Sequence, residues 1–449
     1  MATERQRELL RRTFVDFRQT ASFLENPLIF EKADGLYCWD TEGKCYFDAL
    51  GGVFVAVLGH RPQCVIEAMQ KQMQRMTLAP PLHGIADTTL ELVERLGSVT
   101  PGVLNYVKAF SGGSESIEAA MKFARQYFKQ CGSPGKYKFV SSYLSYHGAT
   151  FAAMSAGGGS VRKAPFEPQM GGFLKVPSPI QLRDRFSSWE ECCRFTAGLF
   201  ENVIVNEGHE TVAGVIVEPI CNTGGMVTPT AEYFSILREI CSQYNVLLIF
   251  DEVLTGFAKT GRMFAAQTFS VIPDIICSGK GLSGGMIPVG AMMAREDMGE
   301  VFMGPDEQGL QFMHGHTYAG NPLACAAGIA VVDEIEKKGL CQKARELGNY
   351  LKGKLEQLKK YGVVREVRGK GVLIGVELVN DAATNEPWPA GRKLGHALKK
   401  TALEQGLIMR IDNDWFSVCP PLIAEESDVD ELYGRLEISV KDALDVMRG

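Results

Sequence analysis

Five short apolar runs constrain the fold of this 449-residue chain more than any other feature of its sequence. Helical patterns separate several of them, and they lie at YKFVSS (137–142), VAGVIVEP (212–219), VLLIFDEV (246–253), PDIICSG (273–279) and PVGAMMA (288–294). Continuous apolar runs of this length are typical of strands buried on both faces. Their alternation with helices indicates βαβ units, so we predict an α/β fold with a parallel sheet between about residues 105 and 325.

Three helices in this sequence have a residue that we expect to cap the N-terminus. Ser114 precedes a helix at 114–131, Thr230 opens one at 230–244, and Ser427 precedes the last amphipathic helix. Serine and threonine are favoured at such positions because their hydroxyl oxygens accept hydrogen bonds from backbone N–H groups of the first turn.

The chain exceeds the length at which a single core usually stops growing, so we expect two domains. After about residue 325 the pattern changes to long amphipathic helices with short strand candidates between them, which indicates a smaller α+β domain. The first 60 residues are too few to form a core alone and are expected to join it. The predicted segments are an N-terminal part of the small domain, the large domain and the C-terminal small domain, at 1–65, 66–325 and 326–449.

Composition excludes several classes of function. A formal net charge of −6 gives no electrostatic reason to expect nucleic acid or an anionic membrane as partner. No apolar run approaches the roughly 18 residues of a membrane-spanning helix, and the N-terminal stretch lacks an apolar signal core. The 12 cysteines form no CxxC pair, so a reducing cytosol is the expected compartment. No acidic cluster accompanies His314 and His316, and we therefore expect no metal site.

The segment FSGGSESIE (110–118) is a candidate anion site. Glycines followed by a helix expose backbone N–H groups at the positive end of the helix dipole, which suits a phosphate, although a simple tight turn has the same pattern. A nucleotide-binding P-loop around Lys280 is excluded, because Asp274 and Gly281 stand where glycine and Ser or Thr are required.

Two charged residues follow the carboxyl ends of apolar strands. Asp251 ends the run IFD, and Lys280 follows the run IICSG, so both point to the same edge of the sheet, where ligands bind in open α/β folds. A phosphate site, a buried carboxylate and a lysine among glycines together suit pyridoxal 5′-phosphate (PLP), which carries a phosphate, a basic ring nitrogen and an aldehyde.

Six motifs in register extend this hypothesis to a family. The chain resembles the class III (ω-) aminotransferases of the fold-type I PLP enzymes, and most closely the amine and ω-amino acid:pyruvate branch. The motifs are GSE (113–115), SYHGAT (145–150), GVIVEP (214–219), IFDEVLTGF (249–257), SGKGLSGGMIPVGA (278–291) and HTYAGNP (316–322). The resemblance covers nearly the whole chain, and it implies a large domain with a mostly parallel, seven-stranded sheet between helices.

The resemblance also implies roles around the cofactor ring. Lys280 would bind the cofactor aldehyde covalently and, once released, move the substrate proton. Asp251 would pair with the ring nitrogen, while Val253 and Tyr146 would pack on its two faces. Glu218 would order the neighbourhood of Asp251 or Tyr146, although it is also explained as a strand-end cap.

For the phosphate, the family implies Gly113 and Ser114 of the same subunit and Thr317 of a partner subunit. The active sites would therefore lie at the interface of a homodimer, or of a tetramer.

Substrate recognition is expected from Arg410, which matches an arginine that binds the substrate carboxylate in this branch and swings out for apolar amines. Ala149 stands where the 2-oxoglutarate-dependent branch carries arginine, which favours pyruvate. Phe54 is the expected apolar wall where relatives carry tryptophan. We therefore predict a ping-pong transaminase that moves the amino group of a primary amine or ω-amino acid to a 2-keto acid.

Other functions on the same scaffold stay open at this point. They are a PLP-dependent aminomutase, a dialkylglycine-type decarboxylase, a 2-oxoglutarate-dependent ω-amino acid transaminase and a non-catalytic PLP-binding protein. A mutase forms no alanine, and a decarboxylase releases carbon dioxide.

Overall fold

The computed structural model describes residues 2–389, 391 and 393–448. Its strands form one sheet of seven strands and two of four. In chain order they are β1 Phe30–Asp34, β2 Tyr37–Asp40, β3 Cys45–Asp48, β4 Tyr106–Phe110, β5 Lys138–Ser142, β6 Phe173–Val176, β7 Val212–Val217, β8 Leu247–Asp251, β9 Ile275–Ser278, β10 Gly290–Ala294, β11 Val364–Lys370, β12 Leu373–Leu378, β13 Leu407–Ile408, β14 Arg410–Ile411 and β15 Trp415–Val418.

The α-helices surround these sheets, and in the part of the chain described no helix is both long and apolar enough to cross a membrane. In chain order they are α1 Glu4–Leu10, α2 Thr20–Glu25, α3 Gly51–Phe54, α4 Gln63–Arg75, α5 Asp87–Val99, α6 Gly113–Gln130, α7 Phe151–Ala156, α8 Ser160–Lys163, α9 Pro179–Leu182, α10 Trp189–Asn206, α11 Ala231–Gln243, α12 Ala265–Phe269, α13 Glu296–Glu300, α14 Pro322–Lys337, α15 Leu340–Glu356, α16 Leu394–Glu404 and α17 Glu426–Arg448.

The seven-stranded sheet confirms the predicted α/β fold. Its strand order is β4-β10-β9-β8-β7-β5-β6, and the neighbours from β9 to β6 are parallel. β10 departs from this pattern, because it runs antiparallel to both β4 and β9. Between β9 and β10 the chain makes only a short 3-10 helix, Lys280–Ser283, instead of a crossover helix. The sequence pattern did not reveal β4 and β6, whose side chains are partly exposed.

Helices cover the sheet on both faces. Successive residues of β8 belong to different clusters of the core, with Leu248 and Phe250 in one and Leu247 and Ile249 in the other. Because side chains alternate along a strand, this division means that β8 is buried on both sides, as its apolar sequence predicted. α6 covers one face, and α10 and α11 cover the other.

The two smaller sheets bring the ends of the chain together. Strand β13 pairs in parallel with β3, with Leu407 opposite Phe47, so the N-terminal hairpin and the C-terminal part share one sheet. Strands β11, β12, β15 and β14 form the other. Helix α14 packs against α4 and α5. The division of the chain at residues 65 and 325 stays a prediction.

Of the three expected caps, one is confirmed and two are wrong. Thr230 caps α11, because its side chain accepts from the backbone N–H of Tyr233. At α6 the cap is Gly112, and the Ser114 hydroxyl instead accepts from the distant Ala149 N–H. Ser427 lies inside α17, since the Glu425 carbonyl already accepts from the Val429 N–H.

Candidate active site

Asp251 and Lys280 lie at one edge of the large sheet. Asp251 is the last residue of β8 and is buried, whereas Lys280 follows β9 and is partly buried. The Lys280 backbone has φ +43°, a left-handed conformation that is unfavourable for any residue with a Cβ. The next residue must be glycine, because a Cβ on Gly281 would lie 2.8 Å from Lys259 Nζ and 2.9 Å from Val57 Cγ1.

The Asp251 carboxylate has two partners in the protein. Its Oδ1 accepts from the Val253 N–H at 3.1 Å, and its Oδ2 lies 2.8 Å from His147 Nδ1. His147 is 2% exposed, and its Nε2 has no partner among the residues that the structure describes. His147 was not predicted as a functional residue, although it directly follows Tyr146 in the SYHGAT motif.

Burial and the nearby carboxylates act in opposite directions on the pKa of Lys280. Burial lowers the pKa of its ammonium group, while the carboxylates of Asp251 and Glu218 oppose this shift and Arg162 adds to it. The net pKa is lowered, which favours the neutral amine that carbonyl chemistry requires. Within the described residues the Lys280 amine makes no hydrogen bond or ion pair with another side chain.

Glu218 lies beside this pair. Burial raises the pKa of its carboxyl to about 7, His147 opposes this rise and Asp251 adds to it. Its Oε1 accepts from the Tyr146 N–H at 2.8 Å, so Glu218 fixes the loop that carries both Tyr146 and His147. The electrostatic contacts therefore bring Glu218, Tyr146, Asp251 and Lys280 together.

The start of α6 lies against the same edge. A Cβ on Gly113 would lie 2.7 Å from Val253 Cγ1, and a Cβ on Gly279 would lie 3.2 Å from the Gly113 backbone. These close approaches place the first N–H groups of an 18-residue helix beside Val253 and the segment that leads to Lys280. Ser114 Oγ accepts from the Ala149 N–H at 3.0 Å, which leaves the hydroxyl proton free to donate to an anion.

Thr317 lies in a turn near the first turn of α6, and its side chain is exposed on this chain. The preceding residue, His316, has its Nε2 3.2 Å from Glu115 Oε2. His314 stacks on Phe110, with ring centroids 5.4 Å apart. Both histidines thus have protein partners.

Arg410 lies on β14 and is partly buried. Its guanidinium carbon lies 5.6 Å from the Trp415 ring centroid, and its Nη2 is 3.6 Å from Asp412 Oδ2, which is a long contact for an ion pair. Burial lowers the pKa of Arg410, and the nearby charge of Arg162 lowers it further. Arg162 in turn lies 4.5 Å from the Tyr146 ring centroid, so these residues share one region.

Phe54 is buried in the interior. It is 4% exposed, has φ +71° and lines a small cavity with Gly51, Lys259 and Cys419. Its neighbour Val53 carries the exposed side chain, at 59%. The role of Phe54 as a substrate wall stays a prediction.

A separate group of potential metal-ligating side chains occurs near the N-terminus. Cys38, Asp48 and His60 have ligand atoms within 4.8 Å of one another. His60 Nε2 contacts both partners, at 2.8 Å from Asp48 Oδ2 and 3.4 Å from Cys38 Sγ. Its hydrogen bond to Asp48, followed by that to Cys38, raises the pKa of His60 to about 10, so at neutral pH the group is an ion pair.

Comparison with known proteins identifies the family. The family model described as aminotransferase class-III matches residues 20–440. The chain belongs to the class III aminotransferases. A probable aminotransferase of Mycobacterium tuberculosis is 36% identical over 94% of this chain and 91% of its own length. An adenosylmethionine-8-amino-7-oxononanoate aminotransferase of Anoxybacillus flavithermus is 31% identical over 95% of this chain and 94% of its own length. A putrescine–pyruvate aminotransferase of Pseudomonas aeruginosa is 30% identical over 93% of this chain and 91% of its own length.

Solved structures of aminotransferases superpose on nearly the whole chain. A thermostable (S)-enantioselective ω-transaminase from Thermomicrobium roseum gives a TM-score of 0.93 at 33% identity, with 98% of each chain covered. The ω-transaminase of Pseudomonas jessenii in complex with PMP gives 0.94 at 30% identity, also with 98% of each covered. The fold is therefore PLP fold type I, and the protein is an enzyme.

Class III aminotransferases use PLP, and the residues of this chain fit that cofactor. Gly113 has no side chain at the point where a Cβ would meet Val253, and Asp251 is a buried carboxylate beside a histidine. Lys280 supplies an amine of lowered pKa. When bound, PLP acts as an electron sink for the charge that develops at the carbon next to the amino group.

Proposed function

We propose that this enzyme transfers the amino group of a primary amine or ω-amino acid to pyruvate, giving alanine, in two half-reactions that use the same site. The observation that carries this proposal is the position of Arg410. Its guanidinium lies near Arg162, which stacks on Tyr146, and among the described residues it is held by a long 3.6 Å contact with Asp412 and by the Trp415 ring, whose centroid is 5.6 Å away. An arginine held this weakly is free to bind a keto-acid carboxylate and to withdraw from an apolar amine.

The proposed roles near the ring follow from the contacts of each residue. Lys280 would hold the cofactor at its aldehyde and, as a neutral amine, would accept and return the substrate proton. Asp251 would hold the ring nitrogen, and His147, in contact with its Oδ2, stabilises the negative charge of the carboxylate. Val253 and Tyr146 would pack against the ring, and Glu218 fixes Tyr146 by accepting from its backbone N–H.

For the phosphate we propose Gly113 and Ser114 of the same chain, because they begin α6 beside Val253. Thr317 is exposed on this chain, which suits a contribution to the phosphate site of a partner subunit in a homodimer or tetramer. We place the enzyme in the cytosol, because its 12 cysteines are all free.

Relatives support an amine donor with a remote polar group. One relative is a putrescine–pyruvate aminotransferase, and another is an adenosylmethionine-8-amino-7-oxononanoate aminotransferase. Solved neighbours include ω-transaminases. Pyruvate is favoured over 2-oxoglutarate by Ala149, which offers no second cation beside the Gly148 turn.

The test of this proposal is product analysis with the PLP-loaded protein. A primary amine or ω-amino acid is incubated with pyruvate and, separately, with 2-oxoglutarate. Alanine formed in equimolar amount with the aldehyde or ketone supports the proposal. Glutamate as the main product would mean that the amino acceptor is 2-oxoglutarate and not pyruvate. Carbon dioxide, or a rearranged amine without keto acid, would identify a decarboxylase or a mutase.

A further inference from the structure

Arg162 is a charged residue at the site that the mechanism above does not use. It lies in the short helix α8, and its guanidinium carbon is 4.5 Å from the Tyr146 ring centroid and 5.1 Å from the Phe17 ring centroid. The guanidinium is thus held between two aromatic rings. It covers one face of Tyr146, so the proposed packing of that ring on the cofactor uses the opposite face.

Arg162 has no acidic partner in the described part of the chain. No carboxylate lies within salt-bridge distance of it, whereas Arg183 and Arg368 each contact both Glu366 and Glu377. The acidic groups of the site are engaged elsewhere, since Asp251 contacts His147 and Glu218 accepts from Tyr146. A half-buried arginine without an acid is uncommon, because leaving a charge unpaired in a partly desolvated site costs free energy.

The surroundings of Arg162 are positively charged. The charge of Arg162 acts on both Lys280 and Arg410, so the three cationic side chains lie near enough for their charges to interact. Stacking on Tyr146 leaves the N–H groups along the edge of the guanidinium free, and this edge matches the two oxygens of a carboxylate. The region is therefore suited to a ligand with an acidic group.

We propose that Arg162 binds the remote carboxylate of an ω-amino acid donor, while Arg410 binds the α-carboxylate of the keto acid. This assignment rests on the proposed function and narrows its donor from primary amines in general to amines with an anionic end. A carboxylate at Arg162 neutralises a charge that has no partner in the protein, whereas an alkylamine of the same length leaves it unpaired. Arg162 is a specificity-determining residue in this account and takes no part in proton transfer.

The experiment compares 5-aminopentanoate with pentylamine as donors to pyruvate in the PLP-loaded protein and in the variant Arg162→Leu. The expected result is a KM ratio that favours 5-aminopentanoate in the natural protein and shifts by about 10- to 100-fold against it in Arg162→Leu, as for loss of a charge-assisted hydrogen-bonded pair. Arg162→Lys should retain part of the preference. Lys163→Leu, which removes the neighbouring cation on α8, is the matched control and should retain all of it.

A binding measurement separates this inference from the proposed function. Pentanoate, which has the acid but no amine, is titrated into the PLP-loaded protein by calorimetry, and its Kd should rise about tenfold or more in Arg162→Leu but not in Lys163→Leu. Equal pentanoate affinity and equal donor ratios in Arg162→Leu and the natural protein would overturn the role of Arg162, even if alanine forms. Weakened pentanoate binding without any alanine would support Arg162 and reject the proposed transfer to pyruvate.

Discussion

His147 Nδ1 lies 2.8 Å from Asp251 Oδ2, and both side chains are almost completely buried. The second oxygen of Asp251 accepts from the Val253 N–H, so the carboxylate is oriented by two donors. Such a pair holds a negative charge at a place from which water is excluded. A buried negative charge of this kind would stabilise a protonated ring nitrogen beside it.

Replacing His147 should therefore lower the activity of the enzyme, because Asp251 loses one of the two donors that orient it. His147→Phe keeps a flat ring but removes the donor, and we expect kcat to fall about 10- to 100-fold, with weaker PLP binding. His147→Asn retains an N–H near the position of Nδ1 and should recover part of the loss. The measurement is kcat together with a spectroscopic PLP titration. Wild-type kcat in His147→Phe would show that the pair is only structural.

Gly113 should tolerate no side chain. In Gly113→Ala the new Cβ would lie 2.7 Å from Val253 Cγ1, so Val253 or the start of α6 must move. Overpacking of this kind costs about 1–3 kcal/mol, and we expect PLP affinity to fall about tenfold or more. Gly112→Ala is the matched control, since nothing lies within 4 Å of its new Cβ and its φ of 178° is extended backbone. Val253→Ala added to Gly113→Ala should restore binding; no recovery would contradict the steric explanation.

Arg410 should act on the acceptor and not on apolar amines. In Arg410→Ala we expect the KM for pyruvate to rise about 10- to 100-fold, because a bidentate charge-assisted interaction is lost. The KM for pentylamine should change by less than about threefold. Arg410→Lys should give an intermediate KM for pyruvate, since lysine keeps the charge without the planar fork. An unchanged pyruvate KM in Arg410→Ala would mean that another group binds the carboxylate.

His60 predicts a pH dependence of stability. Its pKa rises from the ordinary 6.5 to about 10 in the folded chain, chiefly through the hydrogen bond to Asp48. The folded state therefore holds a proton that the unfolded state releases above pH 6.5, so this stabilisation is complete below 6.5 and is lost as pH rises through about 10.

The measurement is the free energy of unfolding in urea between pH 7 and 10.5. It should decline with pH in the natural protein and decline less steeply in His60→Gln, which should also be about 2 kcal/mol less stable at pH 7. His83→Gln replaces an exposed histidine and is the control. Parallel pH profiles for the natural protein and His60→Gln would contradict this account.

The sequence predicted the large sheet because β5, β7, β8, β9 and β10 are apolar on both faces, a signal that needs no knowledge of tertiary structure. The antiparallel direction of β10 could not be predicted from the sequence, because a strand's apolar pattern is the same in either direction. Strands β4 and β6 were missed because only some of their side chains are buried.

At the site, the sequence predicted Asp251 and Lys280 from the ends of their strands. His147 and Arg162 could not be found in the same way. The role of His147 depends on its contact with Asp251, which is more than a hundred residues away in the chain. The position of Arg162 depends on stacking against Phe17 and Tyr146. Only the adjacency of His147 to Tyr146 in SYHGAT offered a signal. Ser114 is a residue whose predicted role was wrong, because its hydroxyl accepts from the Ala149 N–H instead of capping its own helix.

The most direct test of the account is the absorbance spectrum of the PLP-loaded protein and of Lys280→Ala, recorded before and after addition of 5-aminopentanoate without keto acid. We predict that the natural protein shows the band of PLP joined to a lysine, that the amine bleaches it to the PMP form, and that pyruvate restores it. Lys280→Ala should remain folded by circular dichroism but lack the lysine-linked band and multiple turnover. A natural protein without that band after PLP addition, or Lys280→Ala with unchanged turnover, would contradict the assignment of this site.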